Sequence, residues 1–386
     1  MANKKAAYRD RYFDTLRTVA IIRVVAFHAF PVAALELVFP SMGVMFALGG
    51  SLMVRSLDRS VQRTLRNRIR RLLPALWVMG LILVPLMLRR DWPDHPTWSL
   101  LLWAFPVANP PASEFGFAAA GVLWYLVTYL WLVLLSPLLL KLYRRAKLPT
   151  LLMPMVLLGL FMLYPATFGP TVGTVVQNVL GYATCWMLGF AHREGDLKRV
   201  KLRLLVPLAA LCVAGALAWA WQHPGEVGAL DLPGIPLAYA FYQVGFVLVL
   251  MRWSPRMAWL TKVRPLDGFV SMVNNRAVTI YLWHNVAITI AVALFDPLKL
   301  WEIPTLALEE VVDFSIALAF LAASVLGFGW VEDIAARRKP RMSPFPRTKR
   351  SRPPAPAPAP SAAASPASSA APSPATSVVA ASVNSK

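Results

Sequence analysis

Apolar residues along this chain come in blocks of about twenty, each parted from the next by a short polar segment. Ten such blocks can be drawn, at roughly 16–38, 40–54, 72–88, 119–140, 148–165, 173–191, 204–221, 235–251, 277–295 and 309–331. An α-helix needs ~20 residues to cross a hydrocarbon core about 30 Å thick, so each block has the length of a membrane span. Inside lipid every backbone N–H and C=O must be satisfied within the structure, which leaves helices or closed barrels. The blocks show no sustained alternation of period two, so the pattern predicts an all-α bundle of about ten transmembrane helices. The second block is short for a crossing. Either it borrows from the arginine segment after it, or it is buried against neighbours.

Composition supports this reading. The 386 residues are 57% hydrophobic and only 15% charged, against roughly 25% charged in a soluble domain. A net charge of +20 would suggest nucleic acid if it lay on one soluble face, but here it is spread over the segments between spans. With the N-terminus inside, 35 of the 39 Lys and Arg fall in cytoplasmic segments. Only Arg89, Arg90 and Lys299 fall outside, and Arg23 lies within a span. That asymmetry is the positive-inside rule, and it puts both termini in the cytoplasm. Membrane lipid, not nucleic acid, is the partner this charge predicts.

The first block lacks a small-residue cleavage site and is followed at once by another, so it reads as a retained helix. Cys185 and Cys212 sit inside apolar blocks and make neither a disulfide framework nor a metal site. The longest outward loop, 89–118, carries Asp91, Asp94, His95 and Glu114, with Trp92, Trp98 and Trp103 as interfacial anchors. The chain therefore divides into a membrane domain, 1–336, and a tail, 337–386, first basic and then rich in Pro, Ala and Ser. That tail is too poor in apolar side chains to fold and is expected to be a disordered cytoplasmic extension.

Candidate chemistry begins in the first block, which opens Tyr12-Phe13-Asp14-Thr15-Leu16-Arg17. Arg17 and His28 are eleven positions apart, about three turns plus 20°, so they share a helix face about 16 Å apart along the axis. An ionisable group that deep faces protein or a wet cavity. His28 either bonds a neighbouring helix or does chemistry. Arg23 lies about 240° round from Arg17 and has no assigned role. In Arg55–Trp77, apolar residues at 57, 61, 65, 69 and 73 predict an amphipathic helix along the inner surface. Arg68 and Arg71 are i, i+3 neighbours there, a pairing suited to phosphate but also to anionic lipid or topology. Tyr281 and His284, in the ninth block, either line a cavity or satisfy each other. Trp124 and Tyr125 near an interface need no special explanation.

Taken together these segments resemble the acyltransferase-3 family of bacterial membrane proteins. The Tyr-Phe-Asp-x-Leu-Arg opening and Arg-x10-His motif are filled by Tyr12 to Arg17 and His28. Arg68, Arg71 and Pro74 match its Arg-x-x-Arg-x-x-Pro. Leu123-Trp124-Tyr125 looks like its central Leu-Trp-aromatic segment, and Thr279-x-Tyr281-Leu282-Trp283-His284 is similar to its late motif. The likeness spans residues 8–335. It implies a multi-pass enzyme of the bacterial cytoplasmic membrane that moves an acyl group, commonly acetyl, from cytoplasmic acyl-CoA to a hydroxyl on a sugar-containing acceptor. It also implies His28 as base or relay, Arg68 and Arg71 as the CoA anchor, and Arg17 holding a phosphate or the oxyanion. Asp14, Trp124, Tyr125, Tyr281 and His284 are secondary candidates, and no metal is implied. Val122 stands where relatives often have His, no acidic segment follows the central Trp, and no hydrolase-like domain is expected after the last span. The main alternative is a proton-coupled secondary transporter, which would also use intramembrane His, Arg and acids such as Glu36 and Asp313.

Overall fold

A computed structural model describes residues 10–30, 32–90, 92, 98–223, 231–300 and 305–341. Asp91, Asp94 and His95 of the outward loop, and the tail from 342, lie outside the described residues. All described residues belong to the first of two units into which the chain divides, 1–346.

Among the described residues there are helices and no strands. In chain order they are α1 (Arg11–Ala29), α2 (Ala33–Val38), α3 (Ser41–Leu57), α4 (Val61–Arg89), α5 (Phe117–Gly121), α6 (Leu123–Arg145) and α7 (Lys147–Leu163). There follow α8 (Gly169–Arg193), α9 (Asp196–Arg199), α10 (Leu202–Gln222), α11 (Pro236–Arg252), α12 (Arg264–Asn275), α13 (Ala277–Ala293) and α14 (Leu306–Ala335). Among the described residues five helical stretches are long and apolar enough to cross a membrane: Leu35–Leu57, Val61–Arg89, Leu123–Arg145, Leu202–Gln222 and Leu308–Ala335. The number rises to seven if two bent pairs each count as one span, α7 with Pro165–Arg193 at 93° and α12 with α13 at 81°. The protein is thus a multi-pass membrane protein, helical throughout its regular structure over the described residues. Each apolar block drawn from the sequence overlaps helix, though the first is divided between α1 and α2 and the fourth between α5 and α6.

Two segments differ from their sequence reading. The first is not one helix: α1 ends at Ala29, ahead of Pro31, because a proline pushes the residue before it out of the helical region. The arginine segment does not lie along the surface as a separate helix either. Leu57 closes α3, Ser60 caps the next helix by accepting from the Arg63 N–H at 3.3 Å, and α4 then runs unbroken for 29 residues through Pro74 and Pro85. Arg68 and Arg71 therefore ride on the same rod as the apolar half of α4.

α1 sits between two apolar clusters. Tyr12, Leu16 and Val24 pack with Phe46 of α3 and Trp186 of α8, while Ile21 and Val25 pack with Leu76 of α4, Leu282 of α13 and Val325 of α14. A helix wedged in this way can carry charge that a lipid-facing one cannot. Arg23, buried, pairs with Glu36 at 2.6 Å and donates to the Leu35 carbonyl at 3.0 Å, and Tyr239 donates to the same carboxylate at 2.6 Å. The role left open for Arg23 is thereby filled by a structural ion pair holding α1, α2 and α11 together. Asp196 of α9 similarly collects Lys147, Tyr143 and Arg199 within 3.1 Å. Burial works to raise its carboxyl, yet the hydrogen bonds from Lys147 and Tyr143 outweigh that and hold it below the ordinary carboxylate value.

α3 and α8 cross closely, because a glycine of each, Gly50 and Gly189, lies against the other's backbone. A Cβ on Gly50 would fall 2.0 Å from the Trp186 carbonyl oxygen, and one on Gly189 2.1 Å from that of Ala47. Backbone cannot yield as a flexible side chain does, so small residues are required. Gly189→Leu is expected to destabilise the protein by at least about 1–3 kcal/mol, read as a lowered Tm and loss of the monodisperse peak in detergent. A normal Tm would mean that the crossing is looser than described.

Candidate active site

The opening motif mostly builds scaffold. Asp10 caps α1, accepting from Phe13 N–H at 3.3 Å, and Tyr12 donates to the Leu250 carbonyl at 2.9 Å. Arg11 pairs with Asp267 at 2.5 Å and with Asp14 at 3.3 Å. Arg17, together with the Phe13 ring, lines open space. Arg17 donates to the Asn274 side-chain oxygen at 3.2 Å, and the Asn274 amide donates to Thr18 Oγ1 at 2.9 Å.

That space is a cavity of about 660 Å³, inside the range of about 300–1,000 Å³ typical of ligand sites. Seven arginines line it, among them Arg17, Arg55, Arg68, Arg71 and Arg338, against two acids, Asp10 and Glu332. Its mouth is at the arginine-rich end, where Arg55, Arg59, Arg71 and Arg338 are exposed. Arg68 donates to the Tyr129 hydroxyl at 3.4 Å on the opposite wall. The inner end is closed by Met45, Tyr125 and Tyr281. Tyr281 donates its hydroxyl to the Val122 carbonyl, and its ring lies 5.0 Å from that of Tyr125.

The late motif on α13 places each of its side chains against a different neighbour. Thr279 gives both its backbone N–H and its hydroxyl to Glu332, each at 2.6 Å. Trp283 stacks flat on Phe328 at 4.2 Å, and one residue on, His284 is wholly buried. His284 Nε2 lies 3.4 Å from His28 Nδ1, with the rings edge to face. His284 Nδ1 is 2.6 Å from the Tyr281 carbonyl, and His28 Nδ1 is 2.9 Å from the Val24 carbonyl. A carbonyl oxygen only accepts, so both Nδ1 atoms carry the proton in the neutral rings, a tautomer assigned from this network. The His28 Nε2 lone pair is then left free.

The sequence candidates are brought together only in part. Arg17, Arg68 and Arg71 converge on the large cavity, with Tyr125 and Tyr281 at its inner end. His28 does not line that cavity. It is an exposed residue one position from the end of α1, joined to the cavity's inner wall through His284. Trp124 lines neither space and stacks on Tyr182 at 5.5 Å. Among the cavity residues that had not been singled out are Tyr129, Asn274, Arg55 and Arg338. Tyr129 had a signal, since it follows Tyr125 by one helical turn. Asn274 sits just ahead of the late motif, but Arg55 and Arg338 looked like any other inner-loop arginines.

With this geometry in view, the chain matches the family model described as an acyltransferase domain over residues 10–331. The protein belongs to the acyltransferase-3 family and is a membrane acyltransferase, the first of the two readings that the sequence left open. No curated protein and no solved structure matches it significantly.

Proposed function

We propose that this acyltransferase takes its acyl group, in the simplest case acetyl, from acyl-CoA and passes it to a hydroxyl of a sugar or glycosylated acceptor. We further propose ten spans in a bacterial cytoplasmic membrane with both termini inside. The distribution of 35 of 39 cationic side chains over alternate loops supports that topology.

The observation that carries the donor assignment is the arginine cavity. CoA brings a 3′-phosphate and a diphosphate, and guanidinium groups bind phosphate by paired, charge-assisted hydrogen bonds. Arg68 and Arg71, one turn apart and facing Arg17 across the cavity, suit that load. Of the two roles open to Arg17, the phosphate role is favoured, because about 16 Å of helix separates it from His28. The pantetheine arm would then point inward, past Tyr125 and Tyr281, toward the histidine pair.

At that end His28 Nε2 takes the proton of the acceptor hydroxyl as its oxygen attacks the thioester carbon. The new C–O bond forms, the C–S bond breaks, and the imidazolium returns its proton to the departing CoA thiolate. Such general-base work is ordinary for a neutral imidazole near pH ~7. His284 keeps His28 oriented by facing its Nδ1.

The test is acetyl-CoA binding to protein purified in detergent, by calorimetry, with slow thioester hydrolysis followed as thiol release. Micromolar binding with release of CoA is the expected result. Folded protein that binds neither acetyl-CoA nor CoA would remove the donor assignment.

A further inference from the structure

A second, much smaller space lies directly behind the tyrosines. It shares Met45, Tyr125 and Tyr281 with the arginine cavity and is otherwise walled by apolar side chains, with the His284 ring at its edge. Its volume is about 10 Å³, room for roughly one water-sized group. Lined by hydrocarbon, it offers a water few of the polar partners it needs and suits a methyl group instead.

We infer that this recess is the acyl-chain subsite and that it is sized for the two-carbon acetyl group. This rests on the acyl-CoA reading above. Three observations carry it. The recess is the next compartment inward from the cavity that would hold the CoA phosphates, so it lies on the path of the arm. Ala20 and Val24, which wall it, fall between Arg17 and His28 at spacings of three, four and four along α1. One helix face therefore leads from the phosphate end through the recess to the histidine pair. Finally, its walls are held from behind: Ala20 is wholly buried, and Val24 and Met42 are only 5% and 8% exposed. A longer chain finds no wall that gives way without repacking α1 against α3.

Ala20 and Met42 are then the specificity-determining positions. Adding bulk at Ala20 fills the recess, and trimming Met42 lengthens it. One methylene too many in a close-fitting pocket is commonly worth about 10–200-fold in kcat/KM.

The experiment measures thiol release from acetyl-, propionyl- and butyryl-CoA by the detergent-purified protein, wild type, Ala20→Val and Met42→Ala. Binding of unacylated CoA and Tm serve as controls for each. Wild type is expected to favour acetyl- over butyryl-CoA by at least about tenfold in kcat/KM. Ala20→Val lowers acetyl-CoA turnover by a similar factor with CoA affinity unchanged, and Met42→Ala moves the butyryl-to-acetyl ratio upward by about tenfold. Equal use of butyryl- and acetyl-CoA by wild type, a measurement that needs no variant, overturns the sizing. Well-folded variants that bind CoA but leave the chain-length ratio unmoved overturn the location while the donor assignment stands. Absence of CoA binding by folded wild type takes down both.

Discussion

His28→Ala is expected to lower acyl transfer by about 10²–10⁴-fold while CoA affinity stays within about twofold of wild type. The size follows from the removal of a positioned general base. The separation of effects follows from geometry, since His28 does not line the arginine cavity and contacts its inner wall only through His284. His28→Gln should rescue little, because its amide can fill the space but has no basic nitrogen. His284→Gln should behave differently. The glutamine oxygen can accept from His28 Nδ1, so a tenth or more of the rate should survive, while His284→Phe loses that acceptor. The measurement is single-turnover transfer, with calorimetric CoA binding beside it. Retention of most of the rate in His28→Ala would put the base elsewhere. Loss of rate together with CoA binding would reduce the histidine to a packing residue.

The second large effect lies at the other end of the site. The double change Arg68→Ala/Arg71→Ala is expected to weaken CoA binding by about 10²–10⁴-fold, from hydrogen bonds to charged groups worth about 1.5–3 kcal/mol each. At saturating acyl-CoA the turnover number should fall far less, since neither arginine touches the transferred group. Salt gives an independent reading. Binding that depends on several exposed or half-exposed arginines is screened, so affinity in wild type should fall from 50 mM to 500 mM chloride. The double variant should show a much flatter dependence. Arg68→Lys/Arg71→Lys should land between the two, because an ammonium keeps the charge and loses the paired geometry. If calorimetry returns a wild-type Kd for the alanine variant, the seven-arginine cavity is not the CoA site. Anionic lipid would then be the better occupant for those side chains.

The two ends of the site differ in how far the chain alone announces them. Arg17 and His28 could be placed on one helix face by counting, and Arg68 and Arg71 on one turn, because helical periodicity is a local property. The all-α class was equally legible, since lipid forbids unsatisfied backbone and the apolar blocks have helix length. The continuity of α4 was not. An amphipathic period followed by an apolar run looks like two helices, and only the absence of a break at Pro74 shows them to be one, begun at the capping Ser60.

Sequence alone thus determined the helical class, the family motifs, the clustering of charge between apolar blocks and the pairs of residues that share a helix face. All of these follow from spacing and from the cost of charge in hydrocarbon. The tertiary structure decided that Arg23 belongs to Glu36 rather than to the site, that Trp124 stacks on Tyr182, and that Arg55 and Arg338 join Arg17 around one cavity. It also decided that two tyrosines and an apolar recess stand between that cavity and the histidines. These are meetings between residues as much as 321 positions apart in the chain, Arg17 and Arg338 among them. They depend on which faces pack, and at α3–α8 on two glycines that let backbones touch. Local spacing carries no record of either.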